Sequence, residues 1–207
     1  MDSESKYLIG MHPDERGKEV GYLFVDDMIS KFEDPCGPVY MTDGYRVYNE
    51  AFLRCLGEWS IRPYGGRGRP PVWKFGYPDR FNYGQVVKTR RGKRLEKVEY
   101  KVVSGTVPDG LLNTSAVERM NLTIRNCMAR LKRITQNFSK DIEDLRQSCV
   151  LFRVMYNFCR PHMGLGTGSD KVTPAMSLGL TDRVWSLREL MTFSYREISD
   201  DYRYSTM

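Results

Sequence analysis

Asp43 and Glu118 each stand near the predicted start of a helix, where a carboxylate does either structural or catalytic work. Asp43 follows a short apolar run, residues 39 to 41, which predicts a buried strand, and it precedes a predicted helix. An acid in that position lies at the carboxyl edge of a sheet, where α/β proteins place their sites. The structural alternative is an Asx turn or a helix N-cap formed by Asp43 ahead of Gly44.

Glu118 raises the same choice. Ser115 and Glu118 have the spacing of a capping box, in which a serine hydroxyl and a glutamate carboxylate satisfy amide groups of the first helical turn. The same helix carries polar side chains that are candidates for phosphate contacts, namely Arg119, Asn121, Arg125 and Arg130. The alternatives are an amphipathic helix with a structural cap and a helix that brings a carboxylate to a nucleic-acid backbone.

Together the two acids point to one kind of chemistry. Phosphodiester cleavage on metal ions uses carboxylates from separate elements, which hold two divalent cations about 3.5–4 Å apart. Hard oxygen ligands favour Mg²⁺ or Mn²⁺. We therefore expect Asp43 and Glu118 to be both catalytic residues and metal ligands.

Positive charge is concentrated between these acids. Residues 62 to 103 contain 12 Lys or Arg and three acids, a net charge of +9, whereas the whole chain carries +6. Such an excess indicates a nucleic-acid-binding surface, with a solvated basic loop as the alternative. The cations that we expect to bind DNA there are Lys88, Arg90, Arg91, Lys93 and Arg94.

Other residues have two interpretations each. Arg160 and His162 follow the last long helix, where they either complement the helix dipole or contact phosphate. Tyr77, Phe81 and Tyr83 either stack on exposed bases or anchor their own loop. Trp185 and Leu187 are predicted to pack against the protein, with base stacking as the alternative.

The elements that position these residues follow from periodicity. Apolar spacing predicts helices over 14–32, 47–56 (with Gly57 as C-cap), 115–134 and 139–159, the last capped by Ser139. Strands are predicted at 6–12, 39–41 and 58–64, and a basic β-hairpin turns at residues 91 to 93. Strand and helix alternate, which predicts an α/β domain.

Composition excludes several classes of protein. The 207 residues contain no apolar run of 18, and the acidic N-terminus lacks the architecture of an export signal. The five cysteines form no CxxC pair, so we expect reduced thiols, with Cys127, Cys149 and Cys159 in the core. We expect a cytoplasmic, nucleoid-associated protein with no membrane contact.

Four blocks resemble the catalytic region of prokaryotic insertion-sequence transposases of the RNase H-like DDE group. They read YMTDGYRVYNEAF, NTSAVERMNLTIRNCMARLKRITQNFSK, YNFCRPHMGL and TPAMSLGLTDRVWSLREL. The resemblance runs from about residue 2 to residue 190, and it implies an RNase H-like mixed sheet flanked by helices. It places the family's second acid on Asp43 and its third on Glu118.

One part of the family pattern has no match. The first acid normally lies on a first strand, which has no counterpart here, so the chain resembles an N-terminally truncated transposase. Asp2 matches an acid in a turn that should lie at the end of the sheet opposite Asp43. We therefore predict that Asp2 does not replace the missing ligand.

The resemblance implies a domain organisation and an activity. We expect an incomplete catalytic domain over 1–190, with a basic insertion at about 62–103, and a C-terminal tail over 191–207. The implied activity is cleavage at the ends of a DNA element and strand transfer into target DNA, by a homo-oligomer, impaired in this chain. The alternatives are a DNA-binding remnant that competes with an intact transposase and an RNase H-like nuclease acting on structured nucleic acid.

Overall fold

A computed structural model of the chain describes residues 1–14, 17–61, 64, 66–108, 110–111, 113–132, 136–166 and 170–193. The chain divides into two compact units. The sheet unit is His12–Ile142, and the helical unit combines Met1–Met11 with Glu143–Met207. The predicted single catalytic domain over 1–190 stays a prediction.

The sheet unit is built on a mixed three-stranded sheet in the order β1-β4-β5. Strand β1 (Val39–Asp43) runs parallel to β4 (Asn82–Arg91), which pairs antiparallel with β5 (Arg94–Ser104). Asp43 lies opposite Val86 at the end of the β1–β4 ladder. The predicted mixed α/β architecture is therefore confirmed at this level.

Two helices cover this sheet and form its core. Helix α1 (Lys18–Ile29) and helix α2 (Arg46–Leu56) bury apolar residues at helical spacing, among them Val25 and Phe52. The Phe52 ring packs 4.9 Å, centroid to centroid, from Tyr40 of β1 and from Tyr83 of β4. Helix α1 is shorter than predicted at both ends. Helix α2 begins one residue earlier than predicted, and Gly57 is its C-cap as predicted.

The predicted basic hairpin is formed by β4 and β5. Arg91 pairs with Arg94, which leaves Gly92 and Lys93 as a two-residue loop. Gly92 has a φ of +61°, a conformation open to glycine, and Lys93 does not have a positive φ. This pattern matches a type II′ turn, whose twist suits the flanking strands.

A short ribbon lies between α2 and the hairpin. Strand β2 (Glu58–Ser60) pairs antiparallel with β3 (Lys74–Gly76). The strand predicted at 58–64 is thus confirmed only over its first residues, and residues 62 and 63 lie outside the described part. Residues 74 to 76 follow a segment rich in glycine and proline and were not among the predicted strands, but they have β2 as a hydrogen-bonding partner.

The helices after the hairpin are shorter than predicted. Helix α3 (Ser115–Cys127) ends because Met128 adopts an extended backbone, and a 3₁₀ turn, Ala129–Leu131, follows. Residues 133 and 134 of the predicted helix lie outside the described part. Helix α4 is Ile142–Val154, so Ser139 does not cap it; the Ser139 hydroxyl accepts a hydrogen bond from Arg130 instead.

The helical unit contains α4, a π-helical turn (Met155–Cys159), α5 (Pro174–Ser177) and α6 (Leu187–Thr192). Residues 6 to 12 form no strand, so that prediction is wrong. Buried Asn157 provides what a neighbouring strand would: its Oδ1 accepts from the Leu8 N–H at 2.9 Å, and its Nδ2 donates to the Leu8 carbonyl at 3.1 Å.

All five cysteines are free thiols, as expected. Cys36 and Cys149 are buried, and Cys55 and Cys159 are half-buried. Cys127 is exposed at the end of α3, so its assignment to the core is wrong. None of the described helices is long and apolar enough to cross a membrane.

Candidate active site

Asp43 is the last residue of β1 and is exposed at the carboxyl end of the parallel β1–β4 pair. Its Oδ1 accepts a hydrogen bond from the Tyr45 N–H at 3.1 Å, which is the predicted Asx turn. The N-cap of α2 is Tyr45 rather than Asp43. No described residue donates to Asp43 Oδ2, so the turn leaves one carboxylate oxygen for a ligand.

A buried hydrogen-bond network lies under this strand end. The Tyr83 hydroxyl contacts Thr42 Oγ1 at 2.8 Å and accepts from Gln85 Nε2 at 2.7 Å. Burial raises the pKa of Tyr83, so the phenol stays neutral. The network joins β1 to β4 next to Asp43 and fixes the backbone from which that carboxylate projects.

Glu118 lies in the first turn of α3, but the capping box is not formed. The N-cap is Thr114, without a side-chain cap, and the Ser115 N–H donates to Asn113 Oδ1 at 2.8 Å. The Thr114 hydroxyl donates to Glu118 Oε1 at 3.1 Å. Neither Thr114 nor Ser115 therefore caps the helix through its hydroxyl, and the Glu118 carboxylate is not engaged by the N-cap amide.

Lys88 of β4 is the main partner of Glu118. Its ammonium group donates to Glu118 Oε1, and the Lys88 side chain is more buried than that of Glu118. The hydrogen bond from Lys88 is the largest cause that lowers the pKa of Glu118, with further lowering by Thr114 and by the charge of Arg90 against an opposing effect of desolvation. Glu118 is therefore ionised at neutral pH.

Asp43 and Glu118 line the same open cavity, which has a volume of about 500 Å³. Its wall also contains Arg46 and Lys88, so two cations accompany the two acids. The remaining lining residues are Gly44, Tyr45, Val86, Val87 and Thr114. We call this feature the Asp43–Glu118 cavity. It brings together residues of β1, β4 and α3 within the sheet unit.

The cavity supplies some, but not all, of the oxygen ligands that a Mg²⁺ or Mn²⁺ ion needs. Proteins commonly hold Mg²⁺ through one or two carboxylates, and substrate phosphates and water complete the octahedron. Asp43 and Glu118 supply that number of carboxylates. Among the described residues no cluster of three or more His, Cys, Asp or Glu has the geometry for a metal ion, so the cavity does not hold a full ligand set by itself.

The predicted DNA-binding residues of the hairpin lie along β4, its turn and β5. Lys88 is half-buried at the cavity, whereas Arg90, Arg91, Lys93 and Arg94 are exposed. Arg91 and Arg94 face each other across the turn. The exposed cations therefore extend from the cavity to the tip of the hairpin.

On α3, Arg119 and Asn121 are exposed and Arg125 is half-buried. Arg130 lies beyond the helix, in the 3₁₀ turn, where it donates to Ser139 Oγ at 3.0 Å. The helix that was predicted to carry all four polar side chains thus ends at Cys127, before Arg130. The assignment of these four residues to DNA binding stays a prediction.

Arg160 and His162 belong to the helical unit. Arg160 is exposed after the π-helical turn. His162 structures its own loop, because its N–H donates to the Val172 carbonyl at 2.8 Å and its Nδ1 accepts from the Gly164 N–H at 3.1 Å. Their phosphate-contact role stays a prediction.

Two predictions about aromatic residues can be decided. Phe81 and Tyr83 are fully buried in the core, so they do not stack on bases. The half-buried Tyr77 packs 5.0 Å from Phe81 and donates to the Asn49 carbonyl, as an anchor of its own loop. Trp185 packs between Phe158 and Phe193, at 5.2 and 5.3 Å, as expected. Leu187 is exposed at the start of α6, so its predicted packing is wrong.

Sequence reasoning missed Arg46 and the pairing of Lys88 with Glu118. A signal for Lys88 existed, because it lies two residues beyond Val86 and therefore on the same face of β4. Using that signal requires the strand register, which a single sequence does not provide. Comparisons of the chain with protein-family models, with curated proteins and with solved structures gave no match.

Proposed function

We propose that this chain is the catalytic region of a DDE-type transposase with an RNase H-like fold. Its reaction would be metal-dependent DNA strand cleavage and strand transfer. The observation that supports this most directly is the Asp43–Glu118 cavity, in which acids 75 positions apart in the sequence share one opening with two cations. The mixed sheet and the sequence resemblance support it independently.

The residues of the cavity have separate tasks in this proposal. Asp43 offers Oδ2 to a cation while Oδ1 stays in the Asx turn. Glu118 offers its carboxylate from α3, and Arg46 and Lys88 attract a phosphate of the bound strand. Divalent cations held there would activate the attacking oxygen and stabilise the leaving oxygen.

Lys88 has a second task. Because its ammonium group occupies Glu118 Oε1, a cation must compete with Lys88 for that oxygen. A DNA phosphate that draws Lys88 away from Glu118 releases the carboxylate. DNA and metal would therefore bind the cavity cooperatively.

A DDE set contains three acids, and by resemblance Asp43 and Glu118 are the second and third. Two carboxylates hold a pair of cations less firmly than three, so we expect weak activity from this chain. The active complex would be a homo-oligomer on element ends and target DNA. The prediction that Asp2 does not contribute is untested; its carboxylate accepts hydrogen bonds from the Ser5 N–H and hydroxyl.

The test measures two quantities with the same proteins. One is nicking of a supercoiled plasmid that carries the DNA flanking the coding sequence, in Mg²⁺ and in EDTA. The other is Mn²⁺ binding in the presence of that DNA, by electron paramagnetic resonance. Asp43→Asn and Glu118→Gln should each lose Mg²⁺-dependent nicking and weaken Mn²⁺ binding.

The control is Asp182→Asn, which removes a well-exposed carboxylate of the helical unit. It should behave like the wild type in both measurements. Equal Mn²⁺ binding by all four proteins would exclude the cavity as the metal site.

The second candidate is a DNA-binding remnant without catalysis, which the exposed cations of the hairpin favour. Salt-sensitive binding to the plasmid DNA, with no nicking by the wild type and no Mn²⁺ site at Asp43 and Glu118, would select this function.

A further inference from the structure

One face of the β2–β3 ribbon carries large apolar side chains in solvent. Trp59 and Phe75 are directly opposite each other in the ladder, with ring centroids 5.5 Å apart, yet they are 65% and 44% exposed. Ile61 and Trp73 lie two positions along the chain from Trp59 and Phe75, so strand alternation would place them on the same face, and they are 45% and 62% exposed. We call these four residues the aromatic face.

The aromatic face is fixed to the fold at one end. A Cβ placed on Gly57 would lie 2.5 Å from Phe75 Cζ, so the Phe75 ring rests against the end of α2. The glycine at this position therefore permits a close approach of ring and backbone. The tryptophans, in contrast, expose most of their surface, which is unusual for side chains of this size.

The segment that carries this face is positively charged, and the one acid of the ribbon, the exposed Glu58 of β2, alternates onto the opposite face. From Trp59 to Pro78 the sequence contains four cations, five aromatic residues and no acid. Arg67 and Arg69 are exposed in the segment that joins the two strands, whereas Lys74 of β3 alternates onto the opposite face with Glu58. A surface that combines exposed rings with an excess of nearby cations is complementary to a polyanion with accessible flat faces.

Unpaired nucleotides have that chemistry. Bases of a single strand stack on aromatic side chains, and the phosphates interact with adjacent cations. In a duplex the base faces are covered by neighbouring pairs, so tryptophan rings gain little from it. Interfaces between proteins bury aliphatic side chains as well, whereas Ile61 is the one aliphatic member of the aromatic face.

We propose that the aromatic face binds single-stranded DNA, with bases on Trp59 and Trp73 and phosphates on Arg67 and Arg69. This is a second nucleic-acid site, on elements other than those of the Asp43–Glu118 cavity. It goes beyond the proposed function and does not depend on it, because stacking needs neither a metal ion nor the two acids.

The probe is a fluorescently labelled oligothymidine, which does not pair with itself, and the comparison is a duplex of the same length. Affinity is measured by anisotropy in EDTA. Trp59→Ala and Trp73→Ala should each weaken oligothymidine binding by about 5- to 150-fold, the range for one stacked base. The duplex affinity should change much less.

Three further variants keep the test specific. Trp59→Phe retains a ring and should restore most of the affinity. Leu23→Ala removes an exposed apolar side chain of α1 and should leave oligothymidine binding unchanged, as should Trp185→Phe in the helical unit. Circular dichroism checks that each variant folds.

The outcomes separate the occupants of the aromatic face. Unchanged oligothymidine affinity in Trp59→Ala and Trp73→Ala overturns the proposal. It is also overturned if those variants only abolish self-association in sedimentation, or only abolish binding to phosphatidylserine vesicles. Asp43→Asn and Glu118→Gln should bind oligothymidine normally, so failure at the cavity and failure at the aromatic face can be distinguished.

Discussion

At the scale of single residues, the state of Glu118 depends on Lys88. The hydrogen bond from the ammonium group lowers the pKa of the carboxyl group below its ordinary 4.5. A group with a lowered pKa in the folded state stabilises the fold above its unfolded pKa, and this contribution disappears as the pH falls through the folded pKa. The ion pair is therefore complete at neutral pH and is lost only in acid.

Lys88→Met should raise the pKa of Glu118 towards 4.5, because the largest cause of the lowering is removed. The carboxyl carbon of Glu118, followed by NMR through a pH titration, measures this directly. The free energy of unfolding at neutral pH should change by less than about 1 kcal/mol, since Glu118 is more than half exposed and solvent screens the pair.

Lys97→Met is the control, because it breaks another lysine–glutamate pair of the hairpin, that of Lys97 with Glu99 on β5. It should leave the pKa of Glu118 unchanged. An unaltered Glu118 titration in Lys88→Met would show that the ion pair does not form in solution.

At the scale of elements, the position of the cavity depends on how tightly α1 and α2 pack. Gly21 of α1 faces Val47 of α2 with no room for a side chain, because a Cβ on Gly21 would lie 2.3 Å from Val47 Cγ1. Valine has one preferred rotamer in a helix and cannot easily move away. Helix α2 begins three residues after Asp43, so this contact also supports the strand end.

Gly21→Ala should therefore lower the free energy of unfolding by about 1–3 kcal/mol, the usual cost of overpacking. In a Val47→Ala background the same substitution should instead stabilise by up to about 1 kcal/mol, because alanine is the better helix former. Urea denaturation of the four proteins gives the coupling energy. Stabilisation by Gly21→Ala in both backgrounds would contradict the close approach.

The sequence allowed α1, α2 and the basic hairpin to be predicted better than α3 and α4. Helices α1 and α2 and the hairpin follow from apolar spacing and from a glycine that the turn requires. The end of α3 does not, because the apolar stripe continues past Met128 while the backbone leaves the helix there. Ser139 has the residue type of a cap, but Arg130 engages its hydroxyl.

The same distinction applies to the candidate site. The strand end and the resemblance predicted Asp43 and Glu118, and both line the cavity. Lys88 and Arg46 were not predicted as cavity residues, because their approach depends on strand register and helix placement. The exposure of Trp59 and Trp73 could not be predicted either, since a run of apolar residues normally predicts burial.

At the scale of the whole molecule, the positive charge is concentrated in one segment of the chain. The net charge of +9 over residues 62 to 103 exceeds the total of +6, so the remainder is acidic. Most of the described cations of this segment lie on the hairpin, with Lys74 on the ribbon, Arg67 and Arg69 in the connection between its strands, and Arg80 in the turn before β4. Duplex DNA should therefore bind to the surface that carries these cations, and its affinity should fall steeply as the salt concentration rises.

The triple variant Arg91→Gln, Lys93→Gln, Arg94→Gln should reduce the slope of log affinity against log salt by about 2 to 3 for a duplex. Each lost phosphate contact accounts for about 0.9 of that slope. Anisotropy across a KCl series measures it.

A second triple variant, Lys18→Gln, Arg146→Gln, Arg183→Gln, loses the same net charge at exposed positions outside the basic segment. Its slope should match that of the wild type. Equal slopes for both triple variants would mean that the hairpin does not contact phosphates.

The exposed thiol of Cys127 has a consequence for anyone who handles this protein. Cys36 and Cys149 are buried and Cys55 and Cys159 are half-buried, whereas the exposed Cys127 is the thiol best placed to form an intermolecular disulfide between purified copies. Such a covalent dimer would have the same mass as a non-covalent dimer. The oligomeric state should therefore be measured both with and without reductant. The same thiol could also be labelled with a maleimide dye, which would report on the helix that carries Glu118.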